Sequence, residues 1–458
     1  MIDLRLKDLA DAAGGRILRG AGEQSVKGIS IDSRTVRNGD MFAAVRGKNF
    51  DGHDFVKEAL DRGASGIIVS RKMPRDIMDM CGAVLEVGEV TPAAADIAGE
   101  IRKRMNGKVI AVTGSNRKTT VKDMLSWLLS GKDKVLASKR SFNNIIGLSL
   151  TLFDAEPYHE TAVLELGTNH PGEMAVLGRI ARPDVIVITN IGRAHMEFFS
   201  SKEGVLKEKT ALTKYLRQGG KIFVNGDDPL LRDFGDSRDD VISFGMSGWN
   251  DMRIEDVSRR DGGYRFRLQG KSYFFPQDGL HNVYNVSAAI AVALDFVGES
   301  PSIEERVRTV ALPPMRLERV TAGGIDFIND SYNANPDSFK CALDVLSENA
   351  CKGGRVVVAG DMMEMGEESE AVHRELGRRI AESGADMLVA VGTWSDVTAE
   401  GALAAGMDKG RVTVAKDHGH AAEIIKNRIS EGSCVLLKGS RAAKMEDILK
   451  CFMTYSIR

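Results

Sequence analysis

Val109-Ile-Ala-Val-Thr-Gly-Ser-Asn-Arg-Lys-Thr-Thr120 decides how this chain is read. A β-branched run ends in Gly114, and Lys118-Thr119 opens a helical pattern. Strand, tight turn and helix N-terminus together make a phosphate-binding layout. The first N–H groups of a helix have no partner within it, and its dipole favours an anion there. In such a loop Gly114, Ser115, Asn116, Arg117, Lys118, Thr119 and Thr120 are the expected ATP contacts. Lys118 neutralises phosphate charge, and the Thr119 hydroxyl is placed for Mg²⁺. Position 117 departs from the pattern: arginine stands directly before the lysine, where the motif has glycine. A side chain there obstructs close backbone approach to phosphate and is strained in a left-handed conformation. The expectation from sequence is weakened ATP binding or turnover, although a guanidinium is itself a phosphate ligand.

Around this loop the chain alternates strand and helix. Strands are predicted at 109–113, 161–166, 184–189 and 221–224, with helices at 119–129 and 202–216. This rhythm implies right-handed crossovers and a mostly parallel sheet. Residues 252–275 break it, being rich in strand formers around an Asp261-Gly-Gly turn, and read as an antiparallel insert. A smaller α/β unit precedes the loop, and the helix closing it stops at Asn106-Gly107. After Pro313-Pro314 the alternation resumes, with strands at 325–329, 356–359, 387–391, 412–414 and 435–437. The 458 residues suit roughly three domains. We place these at 1–107, 108–312 and 313–458, in an α/β class with a parallel-sheet P-loop domain at the centre and a Rossmann-like domain at the C-terminus.

The net charge of −2 gives no broad case for nucleic acid. No stretch reaches the ~20 apolar residues of a membrane span, and the N-terminus lacks a signal-type apolar core. The five cysteines, scattered and without metal spacing, read as reduced thiols of a cytoplasmic protein.

Further sites follow the strand ends. Glu165, in Val163-Leu-Glu-Leu-Gly167, closes an apolar strand where open α/β sheets bind ligands. A carboxylate there requires a partner or a cation. His195, in Thr189-Asn-Ile-Gly-Arg-Ala-His195, follows another such strand and is a candidate second metal ligand. Asn225-Gly-Asp-Asp-Pro229 is either an ordinary Asx turn or a nucleotide contact. Asn329-Asp-Ser-Tyr-Asn-Ala-Asn-Pro336 holds more hydrogen-bonding capacity than a helix cap requires. Lys438-Gly-Ser-Arg441 brings cations to the last strand end. Lys207 and Lys209, taken alone, are a solvated helix face.

Together these motifs resemble the Mur ligases, ATP-dependent amide-forming enzymes of peptidoglycan precursor synthesis, and the resemblance runs in order along the whole chain. Asp32-Ser-Arg34, Gly47 and Phe50-Asp-Gly-His-Asp-Phe55 resemble the segment holding the uridine nucleotide. By this resemblance Asp32, Ser33, Arg34, Gly47, Asp51 and His53 bind substrate. His281-Asn282 and Asn285 resemble the adenine-proximal helix start, which adds Asn282 to the ATP contacts, with Asn225, Arg316 and Asp330. Asn333 and Asn335 are implied on the dipeptide. The metal set becomes Thr119, Glu165, His195 and Lys209, with Lys209 carbamylated, and the catalytic set Lys118, Lys209, Glu165 and His195. The chain departs from the family at Arg117, at Ser200 where glycine is usual, at Ala211 where Glu is usual, and at Thr168 where alanine is common.

The subgroup implied joins D-alanyl-D-alanine to UDP-N-acetylmuramoyl-tripeptide through an acyl phosphate, in a monomer that closes on hinges near Gly107 and Pro313. Two other readings compete: a related ligase acting on another amino acid or on folate, and a binding-only protein, which rests on Arg117.

Overall fold

The computed structural model describes residues 2–47, 49–130, 134–193, 196–260, 262–298 and 301–456. Three larger sheets follow one another along the chain. The first orders its strands Arg16–Arg19, Ala83–Glu86, Gly66–Val69, Asp40–Ala43, Gly28–Ser30, parallel except for the first pair.

The central sheet has nine strands. Its parallel part runs Val241–Gly245, Lys221–Asn225, Val185–Ile188, Lys108–Thr113, Thr161–Glu165, Val135–Ala137. The strand Lys108–Thr113 shows why it lies in the middle. Side chains alternate across a strand, and here both sets are apolar. Val109 and Ala111 face the helices Val90–Arg104 and Ile145–Phe153. Ile110 and Val112 face Lys118–Leu129 and Leu280–Val297. The insert forms as expected: Met252–Arg260, Gly263–Leu268 and Lys271–Phe275 are antiparallel and extend the same sheet. Asp261 lies outside the described residues. The helix expected over 202–216 divides into an α-helix, Lys202–Thr210, and a 3₁₀ turn, Ala211–Tyr215. The helix Leu280–Val297 is long and apolar enough to cross a membrane, with mean hydropathy 1.3, but 61% of it is buried inside the protein against Lys118–Leu129. It is a core helix.

The third sheet orders Glu318–Ala322, Ile325–Asn329, Cys434–Lys438, Arg355–Ala359, Met387–Val391, Val412–Ala415, parallel after its first, antiparallel pair. Helices cover both faces.

Two expectations are corrected. The cysteines are not all free: Cys351 and Cys434 form a disulfide between the approach to one strand and the start of its neighbour, leaving Cys81, Cys341 and Cys451 as thiols. Sequence separation of 83 residues conceals the pairing, which parallel strands bring together. The seam at Gly107 also lacks the character of a hinge. One apolar core runs from the first sheet into the second. The buried Arg102 donates across the seam to Ala181 O at 2.9 Å, Arg182 O at 3.0 Å and Asp184 at 2.9 Å.

Candidate active site

In the central sheet the chain crosses from one side of Lys108–Thr113 to the other after Thr161–Glu165, which opens a crevice at these carboxyl ends. The loop 114–117 lies there, held by the segment after Val185–Ile188. Ser115 N donates to Asn190 O at 2.9 Å, Asn116 N to Asn190 Oδ1 at 2.9 Å, and Thr189 Oγ1 to Asn116 O at 2.6 Å. Glycine is required at 114, where φ is +138° and a Cβ would stand 2.1 Å from Thr189 Oγ1. Arg117 adopts φ +71°. It keeps the backbone shape that glycine would take, at a cost of about 1–2 kcal/mol. Among the described residues no side chain caps the helix Lys118–Leu129, which leaves its first N–H groups open to the crevice. Lys118 Nζ donates to Gly114 O at 2.8 Å and Ser115 O at 3.1 Å, and burial holds its ammonium below the ordinary lysine range.

Glu165 is 1% exposed. Its Oε1 accepts from Asn143 Nδ2 at 2.8 Å, whereas Oε2 is buried and has no hydrogen-bond partner among the described residues. An orphaned carboxylate oxygen is costly and suits a cation. Lys209, also 1% exposed, is another buried charge. Its Nζ donates to Thr168 Oγ1 at 2.9 Å, and burial, with the Lys118 charge second, pushes it down to about 7. The amine is therefore partly unprotonated near neutrality, as carbamate formation requires. The neighbouring Glu208 accepts from Gly172 N and Met174 N, both at 2.8 Å, and anchors the turn before Glu173–Ala181. His195 lies outside the described residues, and Ser200, where the family has glycine, takes φ +59°.

The third sheet presents its own carboxyl edge to this crevice. Asp330 and Lys438, at adjacent strand ends, form a buried ion pair, and Lys438 also donates to Asn333 O at 3.2 Å. Asn335 caps the helix Pro336–Glu348, accepting from Ser338 N at 2.9 Å, and its Nδ2 donates to Asn116 Oδ1 at 2.6 Å. Tyr332 donates to Ser141. Arg316 lies over the Tyr332 ring, 4.4 Å from its centroid, and donates to Thr119 Oγ1 at 3.0 Å. The linker is contorted to aim it: Met315 and Leu317 both have positive φ.

Between these two edges lies a cavity of about 610 Å³. It unites the loop residues 115–120 with Glu165, Asn282, Arg316, Asp330, Asn333 and Asn335. Among the described residues Arg117, Lys118 and Arg316 form no ion pair, so three cations on its wall are placed to meet a polyanion. Asn282 bonds Asp278 O and Asn285, both at 2.8 Å. Burial pushes the adjacent His281 down to about 3, with Arg117 and Lys438 adding to the effect, so the ring is neutral.

Asn225 does not reach the wall. Its Oδ1 accepts from Asp227 N at 3.1 Å and closes an Asx turn, the ordinary reading of that motif. The N-terminal group stands apart from the cavity, at the carboxyl ends of Gly28–Ser30 and Asp40–Ala43. Asp32 holds Arg34 in a fork at 2.9 and 2.8 Å, and Ser33 donates to Glu58 at 3.1 Å. Gly47 N bonds Phe50 O at 2.8 Å. The buried His53 accepts at Nε2 from Ser70 N at 3.0 Å, so Nδ1 carries the proton that faces Asp51 at 2.6 Å. Sequence reasoning missed Ser141, Asn143 and Cys341, all on the cavity wall. The polar run Ser141-Phe-Asn-Asn144 between a strand and a helix was the available signal for the first two, and nothing marked Cys341.

Three family models match the chain: Mur ligase family, catalytic domain, over 25–129; Mur ligase middle domain over 112–293; and Mur ligase, glutamate ligase domain, over 315–441. The UDP-N-acetylmuramoyl-tripeptide–D-alanyl-D-alanine ligase of Bacillus subtilis (strain 168) is 34% identical over 98% of each chain, and that of Escherichia coli (strain K12) 32% over 98% of each. A crystal structure of MurF from Acinetobacter baumannii superposes with TM-score 0.88 at 30% identity over 99% of both chains. The MurF ligase of Thermotoga maritima in complex with ADP gives 0.82 at 29%, covering 94% of this chain and 97% of that one. With the loop, the two facing sheet edges and these likenesses along its length, the chain belongs to the Mur ligase family.

Proposed function

We propose that the protein is the ATP-dependent ligase joining D-alanyl-D-alanine to UDP-N-acetylmuramoyl-tripeptide, forming UDP-N-acetylmuramoyl-pentapeptide with release of ADP and phosphate. The observation that carries the chemistry is one cavity holding, among the described residues, three cations that form no ion pair and a carboxylate oxygen without a hydrogen-bond partner. The substrates come from the relatives, which bear that name over nearly their whole length. Retention of the loop backbone despite Arg117 leaves the binding-only reading without support.

In this reading the peptide carboxylate attacks the γ-phosphate of ATP, and the acyl phosphate formed is opened by the dipeptide amine with loss of phosphate. Loop N–H groups, Lys118 and Arg316 stabilise the charge on the transferring phosphoryl. Asp330 and Asn282 contact the nucleotide, Asn333 and Asn335 the dipeptide, and Asp32, Ser33, Arg34, Gly47, Asp51 and His53 the uridine end. Glu165 and Thr119 would hold Mg²⁺, with His195 and carbamylated Lys209 at a second ion, and the metal supplies Lewis-acid charge neutralisation. Thr119 reaches its role once Arg316 turns toward phosphate. Domains divide near 107 and 312, and the protein acts as a cytoplasmic monomer.

The test is phosphate release from ATP with Mg²⁺, UDP-N-acetylmuramoyl-tripeptide and D-alanyl-D-alanine, each omitted in turn. Release dependent on all components is expected. Release that survives omission of the dipeptide, or requires a different amino acid, overturns the assignment.

A further inference from the structure

Arg117 occupies a backbone conformation that favours glycine, with φ +71°, and an outlier of this kind points to work done by the side chain. That work is not done within the protein. The guanidinium is half-buried and has no carboxylate partner among the described residues. Among the described residues it makes a weak hydrogen bond, from Nη2 to the thiol sulfur of Cys341 at 3.6 Å. Its charge also acts on His281, which burial holds neutral, and on the Tyr284 hydroxyl, which donates to Asp227 at 2.7 Å. A half-buried cation that forms no ion pair among the described residues calls for a counter-ion, and the surrounding cavity is the place from which one can come.

The location adds a second constraint. Lys118 bonds the loop carbonyls of Gly114 and Ser115, and Thr119 is engaged by Arg316, whereas Arg117 reaches Cys341 on the helix Pro336–Glu348. Cys341 belongs through that helix to the third sheet's domain. The guanidinium is therefore positioned by two domains at once.

We infer that Arg117 is a nucleotide clasp, a side-chain phosphate ligand that replaces the close backbone approach of a glycine and binds nucleotide only while the helix bearing Cys341 is docked. This rests on the cavity being the nucleotide site. In this inference Arg117, which engages Cys341 while Thr119 is engaged by Arg316, serves the diphosphate end shared by ADP and ATP and leaves the γ-phosphate to Lys118.

The experiment uses the full chain, with ADP and ATP titrated calorimetrically into the wild type and Arg117→Gly, Arg117→Lys and Lys118→Ala. Alkylation of Cys341 by a maleimide is followed by peptide mass, with and without ADP. Arg117→Gly is expected to weaken both nucleotides by about tenfold, as loss of one charge-assisted contact would, although it relieves backbone strain. Arg117→Lys restores little, because a point charge lacks the fork. ADP slows Cys341 alkylation several-fold in the wild type and not in Arg117→Gly, a difference that a merely structural role would not produce. Equal or tighter binding by Arg117→Gly overturns the clasp and leaves the nucleotide site intact. Failure of the wild type to bind either nucleotide overturns both. Weakening of ATP alone also refutes the inference, since it would place Arg117 at the γ-phosphate.

Discussion

Replacing Lys209 with methionine should stabilise the protein at neutral pH while abolishing its activity. The amine is 1% exposed and burial pushes it from the ordinary 10.5 down to about 7. That fall corresponds to about 5 kcal/mol against carrying the proton inside the fold. Between these two values the unfolded chain binds the proton and the folded chain does not, so wild-type stability rises with pH across the window and the full penalty applies below about pH 7. Methionine has no such penalty. It does forfeit the bond to Thr168 and leaves that buried hydroxyl without its partner, which returns about 1–3 kcal/mol. The net gain is about 2–4 kcal/mol near pH 7 and close to zero near pH 9.5, where little of the penalty remains. Urea unfolding of both proteins at the two pH values, in CO₂-free and Mg²⁺-free buffer so that the amine is bare, measures the gap, and phosphate release measures the lost turnover. A Lys209→Met protein less stable than wild type at pH 7, or a gap that does not change with pH, refutes the reasoning.

Other substitutions separate chemistry from architecture. Glu165→Gln preserves an acceptor for Asn143 but removes the anion, so turnover should fall about 100-fold or more while ADP affinity, read calorimetrically, stays within about twofold. Arg102→Met leaves Asp184 and several carbonyls of the inter-domain seam short of a donor and should cost about 3 kcal/mol in urea unfolding, with cleavage by a protease appearing between the first two domains. Serine at both 351 and 434 removes a cross-link spanning 83 residues and should lower the stability of the third domain by about 4 kcal/mol, visible as a separate early transition in calorimetry.

Much of this architecture could be read from residue order because it rests on local signals. The run Val109–Thr113 is apolar at every step, which only a strand covered on both faces tolerates, and Glu165 was conspicuous as a carboxylate in such a run. The Asn225 turn was decided by one hydrogen bond, from Asp227 N, that the motif allows but does not compel. The contacts that assemble the cavity from two domains could not be read at all. Asn335 reaches Asn116, Tyr332 reaches Ser141, and Arg316 reaches Thr119, each across a sequence gap that carries no periodicity. The same holds for Arg102, whose role depends on carbonyls beyond the end of its own domain. A charged residue near a helix end reads as solvated unless its distant neighbours are known.

The apolar helix Leu280–Val297 bears on how the protein is made. As it leaves the ribosome it is the segment that membrane-insertion machinery would find most attractive, for 18 residues of mean hydropathy 1.3 approach the composition of a span. Its receptacle is translated first. The strands that supply Ile110, Val187 and Phe223, and the helix that supplies Val121 and Leu125, all precede it in the chain. At about 5–20 residues per second the nascent sheet has more than enough time to assemble and take up the helix as it emerges. A circular permutant that began at the helix would reverse this order, exposing the stickiest part of the chain with nothing yet built to cover it.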